Sequence, residues 1–339
     1  MRSMGEGAGR ERCASRQSPS VSASHCHLPT SGEDQHRLTR TLCPSTATHM
    51  ADHTDSAGIP ADDTPQPIGK GGAPAAKPKS ELRDTAIFLL KLAIFVFIIR
   101  SFLISPFVIP SGSMLPRLLV GDYLFITKWN YGYSKHSLPF SLPLIPGRVF
   151  ASTPERGDVA VFKAPPQDAD DWIKRVIGVP GDTIQMSNGQ IILNGQPVPK
   201  QRVADFVLAL TPNFNETNGC RGEFVSTDTD GTPICRVPQF RETLPNGKSY
   251  MVLDQGSFLP DDTETFTVPE GHAFMMGDNR DDSKDSRFQH LAGGIEFVPL
   301  ENIQGKAVVN FWSTDGNAEW LMPWTWFTAA RWERIGDGF

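Results

Sequence analysis

The chain has 339 residues, of which 39% are hydrophobic and 21% are charged, and its formal net charge is -6. This length allows about two ordinary domains, or one larger β domain with extensions. The negative charge and the lack of a basic patch interleaved with aromatic residues exclude a typical nucleic-acid-binding surface.

Residues 1–83 are expected to form a disordered tail. They are rich in Ser, Thr, Pro, Gly and Ala, and they show no hydrophobic periodicity, so they cannot bury enough apolar surface to fold alone. The composition becomes more ordinary at Met50, and we predict that translation begins there. Acidic residues disfavour the alternative of a transit peptide. The adjacent residues His25, Cys26 and His27 cannot enclose a metal ion.

An apolar run from Ala86 to Ile104 follows the tail. A helix rises ~1.5 Å per residue, so this run can cross the ~30 Å hydrocarbon layer, and we predict one transmembrane helix over residues 84–104. Lys91 and Arg100 lie toward its ends, where their charges can reach the interface. A buried helix of a soluble protein is the alternative. Basic residues precede the run, which favours a cytoplasmic N-terminus and an exported remainder.

The remaining chain consists of short β-branched and aromatic runs separated by Gly, Pro, Asn and Asp, which is typical of antiparallel strands. We therefore predict a mainly β protein whose antiparallel sheets form a barrel-like domain over residues 105–194 and 269–339. A more polar, β-rich subdomain is predicted to be inserted over residues 195–268. Asn188-Gly189 predicts a type I′ hairpin. The predicted strands are Asp122–Lys128, Asp158–Lys163, Trp172–Val179, Thr183–Met186, Ile191–Leu193, Ala273–Met276 and Ile303–Phe311.

Cys220 and Cys235 bracket a stretch rich in Gly, Thr and Asp that is typical of a surface loop. Their spacing fits no C-x-x-C metal site. Outside the cytoplasm such a pair favours a disulfide, and two free buried thiols are the alternative.

The segment Pro110-Ser-Gly-Ser-Met-Leu-Pro116 leads from the apolar run into a turn-rich region and presents two serines. A serine hydroxyl is a poor nucleophile without an adjacent base, so a structural turn is the alternative. The exported histidines His136, His272 and His290 fit no Ser/His/Asp pattern.

Lys174 is the better candidate for a base. Strand alternation places Trp172, Lys174 and Val176 on one face, so the amine lies between apolar neighbours. Burial disfavours the ammonium, and the pKa can fall from ~10.4 toward ~7 to 8, where the neutral amine can accept a proton from serine. An exposed lysine on an edge strand is the alternative.

The segment Gly277–Arg287 is highly polar and follows an apolar strand. Its aspartates could supply oxygen ligands, but their spacing does not match the EF-hand loop, so no metal site is expected. The other interpretation is a hydrogen-bonded loop in which Asp285 and Arg287 form a bidentate pair.

Four segments resemble, in order, the conserved boxes of the bacterial type I signal peptidases, the leader peptidases with a serine/lysine dyad. They are Ser-Gly-Ser-Met-x-Pro after the apolar run, Arg156–Phe162, Ile173–Asp182 and Gly277–Arg287. The matching part covers about two thirds of the chain. Arg117 departs from the family pattern, which commonly has threonine there.

The resemblance implies that Ser113 is the nucleophile and Lys174 is the general base. Ser111 would complete an oxyanion hole with the backbone N–H of Ser113, and Ser283 would orient the lysine amine. The implied supporting residues are the ion pair Asp285 and Arg287, with Arg175 helping to hold the strand of the lysine.

The resemblance also implies the reaction, which is removal of signal peptides from exported preproteins through an acyl-enzyme, without a cofactor. The substrate would lie extended as an added strand. The predicted substrate-binding residues are Phe107, Ile109, Pro110, Met114, Leu118, Trp172 and Ile173. Signal peptides and the lipid bilayer are the expected partners. We expect a monomer anchored by one span in the inner (plasma) membrane, with its catalytic domain on the outer, periplasmic side.

Two other classes of function fit the sequence less well. A self-cleaving transcriptional regulator would need a helix-turn-helix where this chain has the tail and the apolar run. A noncatalytic, membrane-tethered binding domain would cleave no preprotein. The aromatic segment 319–327 is compatible either with contact with the membrane interface or with ordinary core packing.

Overall fold

The computed structural model describes residues 81–319 and 321–339. The predictions for the segment before residue 81, including the start at Met50 and the interpretation of His25, Cys26 and His27, lie outside these residues.

The apolar run forms a helix with exposed side chains. Helix α1 (Glu81–Ile98) continues into a π-helical turn, Ile99–Leu103. The whole segment is long and apolar enough to cross a membrane, and almost none of it is buried by protein. This exposure argues against the core helix of a soluble protein. The helix ends one residue earlier than predicted because Ile104 adopts an extended conformation and begins the first strand.

Strands dominate the chain after the helix. They are β1 (Ile104–Val108), β2 (Asp122–Thr127), β3 (Tyr133–Ser134), β4 (Arg148–Val149), β5 (Val159–Lys163), β6 (Asp171–Gly178), β7 (Thr183–Ser187), β8 (Gln190–Leu193), β9 (Gln196–Pro197), β10 (Lys200–Arg202), β11 (Phe206–Ala209), β12 (Val225–Thr227), β13 (Pro233–Val237), β14 (Gln239–Thr243), β15 (Ser249–Leu253), β16 (Phe266–Thr267), β17 (His272–Met276), β18 (Val298–Pro299) and β19 (Ile303–Ser313). A short helix, α2 (Pro323–Thr328), lies near the C-terminus.

Within the described residues, the largest sheet has seven antiparallel strands in the order β1-β2-β19-β5-β6-β17-β18. The prediction of a mainly β protein with antiparallel sheets is confirmed. Strand β1 lies at one edge, so one side of its backbone has no neighbouring strand in the sheet. This arrangement leaves room for an extended peptide beside β1.

The predicted hairpin joins β7 and β8. Asn188 and Gly189 have φ angles of 48° and 70°, and Ser187 pairs with Gln190. A type I′ turn requires positive φ at both central residues, which Asn and Gly tolerate best.

The segment 195–268, predicted as an inserted subdomain, contains two three-stranded sheets, β10-β14-β15 and β11-β13-β12. Strands β9 and β16 from the same segment pair instead with β8 and β7. A disulfide joins Cys220 and Cys235. Both cysteines pack in one apolar cluster with Leu115 and Phe214. The disulfide segment therefore packs against the turn that carries Ser113.

Candidate active site

Ser113 lies in a tight turn that its neighbours anchor in the core. Gly112–Met114 form one 3-10 turn that follows the end of β1 after a short extended segment ending at Ser111. Met114 and Leu115 are fully buried, and the backbone N–H of Leu115 donates to the Gly112 carbonyl at 3.1 Å. This anchoring leaves the Ser113 side chain at the wall of a cavity.

Lys174 lies on β6, opposite Ala160 of β5. Its Nζ lies 2.7 Å from Ser113 Oγ, which is within hydrogen-bond distance. The lysine is only 4% exposed, and its Nζ lies 5.4 Å from the centre of the Trp172 ring. The structure therefore brings together the two residues that the sequence marked as nucleophile and base.

The surroundings of Lys174 lower its pKa from 10.5 to about 8. Burial is the largest cause, because it disfavours the charged ammonium. The carboxylates of Asp285, Asp278 and Asp282 oppose this effect and favour the charged form. A substantial fraction of the amine is therefore neutral just above neutral pH.

The loop after β17 holds the Ser113 turn from the other side. The backbone N–H of Asn279 donates to the Ser113 carbonyl, and its side-chain amide donates to the Gly112 carbonyl, both at 3.1 Å. A Cβ on Gly277 would lie 2.5 Å from the Ser113 carbonyl oxygen and would also overlap Ser283 Oγ. Only glycine fits at this position without displacing the turn.

The predicted pair of Asp285 and Arg287 is present and completely buried. Arg287 donates from Nε and Nη2 to the two carboxylate oxygens, both at 2.9 Å. Burial raises the pKa of Asp285, but Arg287 and the backbone N–H of Gly277 outweigh it, so the net pKa is lowered. The carboxylate stays charged and fixes the backbone of the loop.

Arg175 connects the lysine strand to the same loop. It donates from Nε and Nη2 to the Asp278 carboxylate at 2.7 and 2.6 Å, and from Nη1 to the Gly157 carbonyl at 2.7 Å. The sequence indicated a role for Arg175 but not its partner. A second buried pair, Arg280 with Glu242, was missed altogether. Asp278 lies in the polar segment Gly277–Arg287, which the sequence analysis identified. Glu242 lies in a strand with no recognisable sequence pattern.

Ser111 and Ser283 flank the dyad. Ser111 is exposed and lines the same cavity as Ser113. Ser283 is buried, and its Oγ has no hydrogen-bond partner within the described part of the chain. The expected hydrogen bond from Ser283 to Lys174 is therefore not formed in this structure.

A cavity of about 630 Å³ opens beside Ser113. Three of the residues predicted to bind substrate, Pro110, Trp172 and Ile173, line it. Phe107 lines an adjoining cavity of about 1040 Å³, which shares Pro110 and Asp171 with the first.

Three predicted substrate-binding residues lie elsewhere. Ile109, Met114 and Leu118 are at most 2% exposed and belong to the apolar core beneath the Ser113 turn. They line neither of the two cavities beside β1. Their side chains anchor the turn to the sheet, and Ile109 also lines a separate cavity of about 470 Å³. Their role in substrate binding stays a prediction.

Known proteins match this chain over the region that runs from the apolar helix through the candidate site. The family model described as signal peptidase, peptidase S26, matches residues 82–312. The signal peptidase I of Rickettsia typhi is 38% identical over 245 residues, which cover 70% of this chain and 82% of that protein. The signal peptidase I of Rickettsia prowazekii is 39% identical over 226 residues, covering 64% and 75%.

A solved signal peptidase I from Enterococcus faecalis is 22% identical, with a TM-score of 0.24, and covers 46% of this chain and 97% of that one. The family match spans the helix, the Ser113 turn, the Lys174 strand and the loop around Asp285. On this match and the identity to the rickettsial proteins, the chain belongs to the signal peptidase I family, the serine peptidases that remove signal peptides.

Proposed function

We propose that the chain cleaves signal peptides from exported preproteins with Ser113 as nucleophile and Lys174 as general base. The observation that carries this proposal is the 2.7 Å approach of a buried lysine Nζ to a serine Oγ at a cavity wall. Because the pKa of Lys174 is lowered to about 8, the amine can take up the serine proton without strong base or a metal ion.

The reaction follows in two halves. Ser113 Oγ attacks the scissile carbonyl carbon while its proton moves to the neutral amine of Lys174. The resulting oxyanion accepts hydrogen bonds from the backbone N–H of Ser113 and the hydroxyl of Ser111. The C–N bond then breaks, the proton passes from Lys174 to the departing amine, and the signal peptide remains as an ester on Ser113.

Water completes the cycle. Lys174 accepts a proton from a water molecule as that water attacks the ester carbonyl, and the proton then returns to Ser113 Oγ. The signal peptide leaves with a new carboxylate, and the dyad is restored. Ser283 remains a proposed orienting residue for the amine, which would require its hydroxyl to turn toward Lys174 when substrate is bound.

The substrate is proposed to lie along the free edge of β1. An extended peptide can pair its backbone with an edge strand and place alternate side chains in pockets. Trp172 and Ile173 line the cavity at Ser113, and Phe107 lines the adjoining one. Shallow apolar walls of this kind favour small side chains at the first and third positions before the cleaved bond.

The enzyme is proposed to be a monomer anchored in the inner membrane by the segment Glu81–Leu103, with a cytoplasmic N-terminus and an outer catalytic domain. Aromatic side chains near the C-terminus support contact with the bilayer, because they are 39–65% exposed instead of packed in the core. These residues are Trp324, Trp326, Phe327 and Trp332.

Cleavage of a preprotein in neutral detergent tests this proposal. Ser113→Ala and Lys174→Ala should each lower processing at least ~10³-fold, because each removes a group that acts in the chemical step. Ser257→Ala and Lys135→Ala are matched controls outside the site and should process normally. Processing retained by either dyad variant would disprove the assignment. A wild-type chain that binds the preprotein without cutting it would favour the noncatalytic binding domain.

A further inference from the structure

The cavity of about 1040 Å³ beside β1 begins at the end of the apolar helix. Arg100 lines it at that end, Phe107 and Val108 line it along β1, and Pro110 joins it to the cavity at Ser113. A substrate chain that leaves the membrane and pairs with β1 therefore passes through this cavity before it reaches the nucleophile.

Lys128 lines the cavity as a buried cation without an acidic partner. It is 4% exposed, and its Nζ donates to the Ser137 carbonyl at 2.6 Å. No carboxylate forms an ion pair with it within residues 81–319 and 321–339. Burial, followed by the charge of Arg100, lowers its pKa to about 8. An ammonium in such a position has N–H groups left to donate, and the reaction at Ser113 makes no use of them.

His136 lines the same cavity and is also 4% exposed. Its Nδ1 is bonded to Ser141 Oγ at 3.0 Å, and its Nε2 is buried with no partner among the described residues. Burial lowers the pKa of the imidazole, so the ring is neutral at pH 7. When the Ser141 hydroxyl donates to Nδ1, the ring proton resides on Nε2, which then needs an acceptor.

Three other charged residues of the cavity, Lys163, Asp168 and Asp171, already have partners. Lys163 lies 3.0 Å from Asp171, and Asp168 accepts from the Asn302 side chain at 2.6 Å. Lys128 and His136 are therefore cavity residues that still have N–H groups to donate. The backbone N–H of Lys128 donates to the Leu103 carbonyl at 3.0 Å, which places Lys128 level with the last residue of that helix.

The substrate would present hydrogen-bond acceptors at the level of Leu103, where the π-helical turn after helix α1 ends. An apolar segment in a bilayer must be helical to satisfy its backbone. The last four carbonyls of such a helix have no partner within the helix, and they carry the negative end of its dipole. From the level of Leu103 to Pro110 an extended chain covers about 23 Å at ~3.3 Å per residue. The end of the substrate helix would therefore lie roughly five to seven residues before the cleaved bond.

We propose that Arg100, Lys128 and His136 form a subsite that binds the unpaired carbonyls at the C-terminal end of the signal peptide's apolar helix. The subsite fixes the distance between the end of that helix and the bond that reaches Ser113. This inference rests on the proposed function and names a specificity element of the same site.

Two substrates test the subsite in the full-length chain. One is a preprotein with its apolar segment, and the other is a short peptide that spans the cleavage site but ends before the Lys128 level. Lys128→Met should raise KM for the preprotein about tenfold, since a hydrogen bond to a charged group is lost. The short peptide should be cut with unchanged kcat/KM, and Lys128→Arg should restore the preprotein KM.

Lys135→Met is the matched control, because Lys135 lies beside His136 but does not line the cavity. It should cut both substrates normally. His136→Leu provides a second variant and should also raise KM for the preprotein alone. An equal loss on both substrates, or no loss on the preprotein, would overturn the subsite.

The same assays in neutral detergent and in anionic phospholipid vesicles separate the subsite from a lipid site. A Lys128→Met defect that occurs only in anionic vesicles would assign the cations to lipid phosphates and would overturn the proposal. If the wild-type chain cuts neither substrate, the proposed function itself fails, which is a distinct outcome.

Discussion

At the scale of single residues, the chemistry depends on how β6 buries the amine of Lys174. The unfolded chain holds the lysine proton up to about pH 10.5, whereas the folded chain releases it near pH 8. The folded pKa is therefore depressed, so the unfolded state binds the proton more tightly. The resulting penalty, about 3 kcal/mol, is fully present below pH 8 and disappears as the pH rises through 10.5.

This penalty predicts that Lys174→Met is more stable than the wild type while being inactive. At pH 7 the variant should gain about 1 to 3 kcal/mol in free energy of unfolding, because methionine fills the site without a buried charge. The gain should shrink toward pH 10.5. Denaturant unfolding at both pH values measures it, with exposed Lys284→Met as the control. A variant that is less stable at pH 7 would contradict the depressed pKa.

The residues of the site differ in how far the sequence could identify them. Ser113, Lys174 and the Asp285–Arg287 pair lie in short motifs, so they were predictable. The partners of Arg175 and Arg280 were not, because those contacts join distant segments. Apolar residues beside the nucleophile were assigned to pockets, but the local sequence cannot tell a pocket wall from the core that anchors a turn.

At the scale of elements, the Ser113 turn and the loop after β17 are in direct contact through Gly277. Gly277→Ala should displace the turn, because a Cβ there would meet the Ser113 carbonyl oxygen at 2.5 Å. A shift of about 1 Å at a nucleophile can cost ~10²-fold in rate. We therefore expect kcat on a short peptide to fall about a hundredfold while the fold is retained.

Gly222→Ala is the matched control, because the nearest atom to its added Cβ would be Glu216 Oε2 at 3.4 Å. Its kcat should equal that of the wild type, and unfolding curves of both variants report whether the fold persists. A Gly277→Ala enzyme with wild-type kcat would show that the loop does not position the nucleophile.

The longer elements were largely predictable from alternation and turn residues. Strands β2, β5, β6, β7, β8, β17 and β19 lie within two residues of their predicted ends. Strand β1 and strands β10 to β15 were not predicted individually, although the segment of β10 to β15 was predicted to be rich in strands. The two-residue strands β3, β4, β9, β16 and β18 and the short helix α2 were also not predicted. Elements as short as these last ones carry no periodic pattern, and long-range packing determines them.

At the scale of the whole molecule, the segment around the Cys220–Cys235 disulfide packs against the Ser113 turn from outside the main sheet. A Cβ on Gly112 would lie 2.9 Å from the Cα of Gly219, so the segment before Cys220 contacts the nucleophile turn directly. Thr217, Asn218 and Gly219 also line the cavity at Ser113.

This contact predicts that Cys220→Ser/Cys235→Ser is less stable and less active. Opening a loop with a sequence separation of 15 should lower the free energy of unfolding by about 3 kcal/mol. The rate on a short peptide should fall as the cavity wall loosens. Denaturant unfolding and kcat measure the two effects, and adding a reductant to the double variant should change neither. If both stability and rate were unchanged, the disulfide segment would not stabilise the fold or the cavity at Ser113.

The fold class followed from composition and turn residues, but the sheet order did not. Strand β19 pairs with β2 and β5, which lie far earlier in the chain. Such pairing depends on which surfaces bury each other after folding, and no local pattern records it. The placement of Lys174 against Ser113 is a product of this order. Strand alternation marked Lys174 as a candidate base, and the family resemblance paired it with Ser113.

The pH dependence of kcat/KM for a short peptide tests the central claim most directly, because it reports the ionisation of the free enzyme's base. Such a peptide does not reach Lys128, which leaves Lys174 as the titrating group of the dyad. The rate constant should rise about tenfold per pH unit from pH 6 and level off above about pH 8, where the amine is neutral. A value that stays constant between roughly pH 6 and 9 would contradict an uncharged lysine as the base.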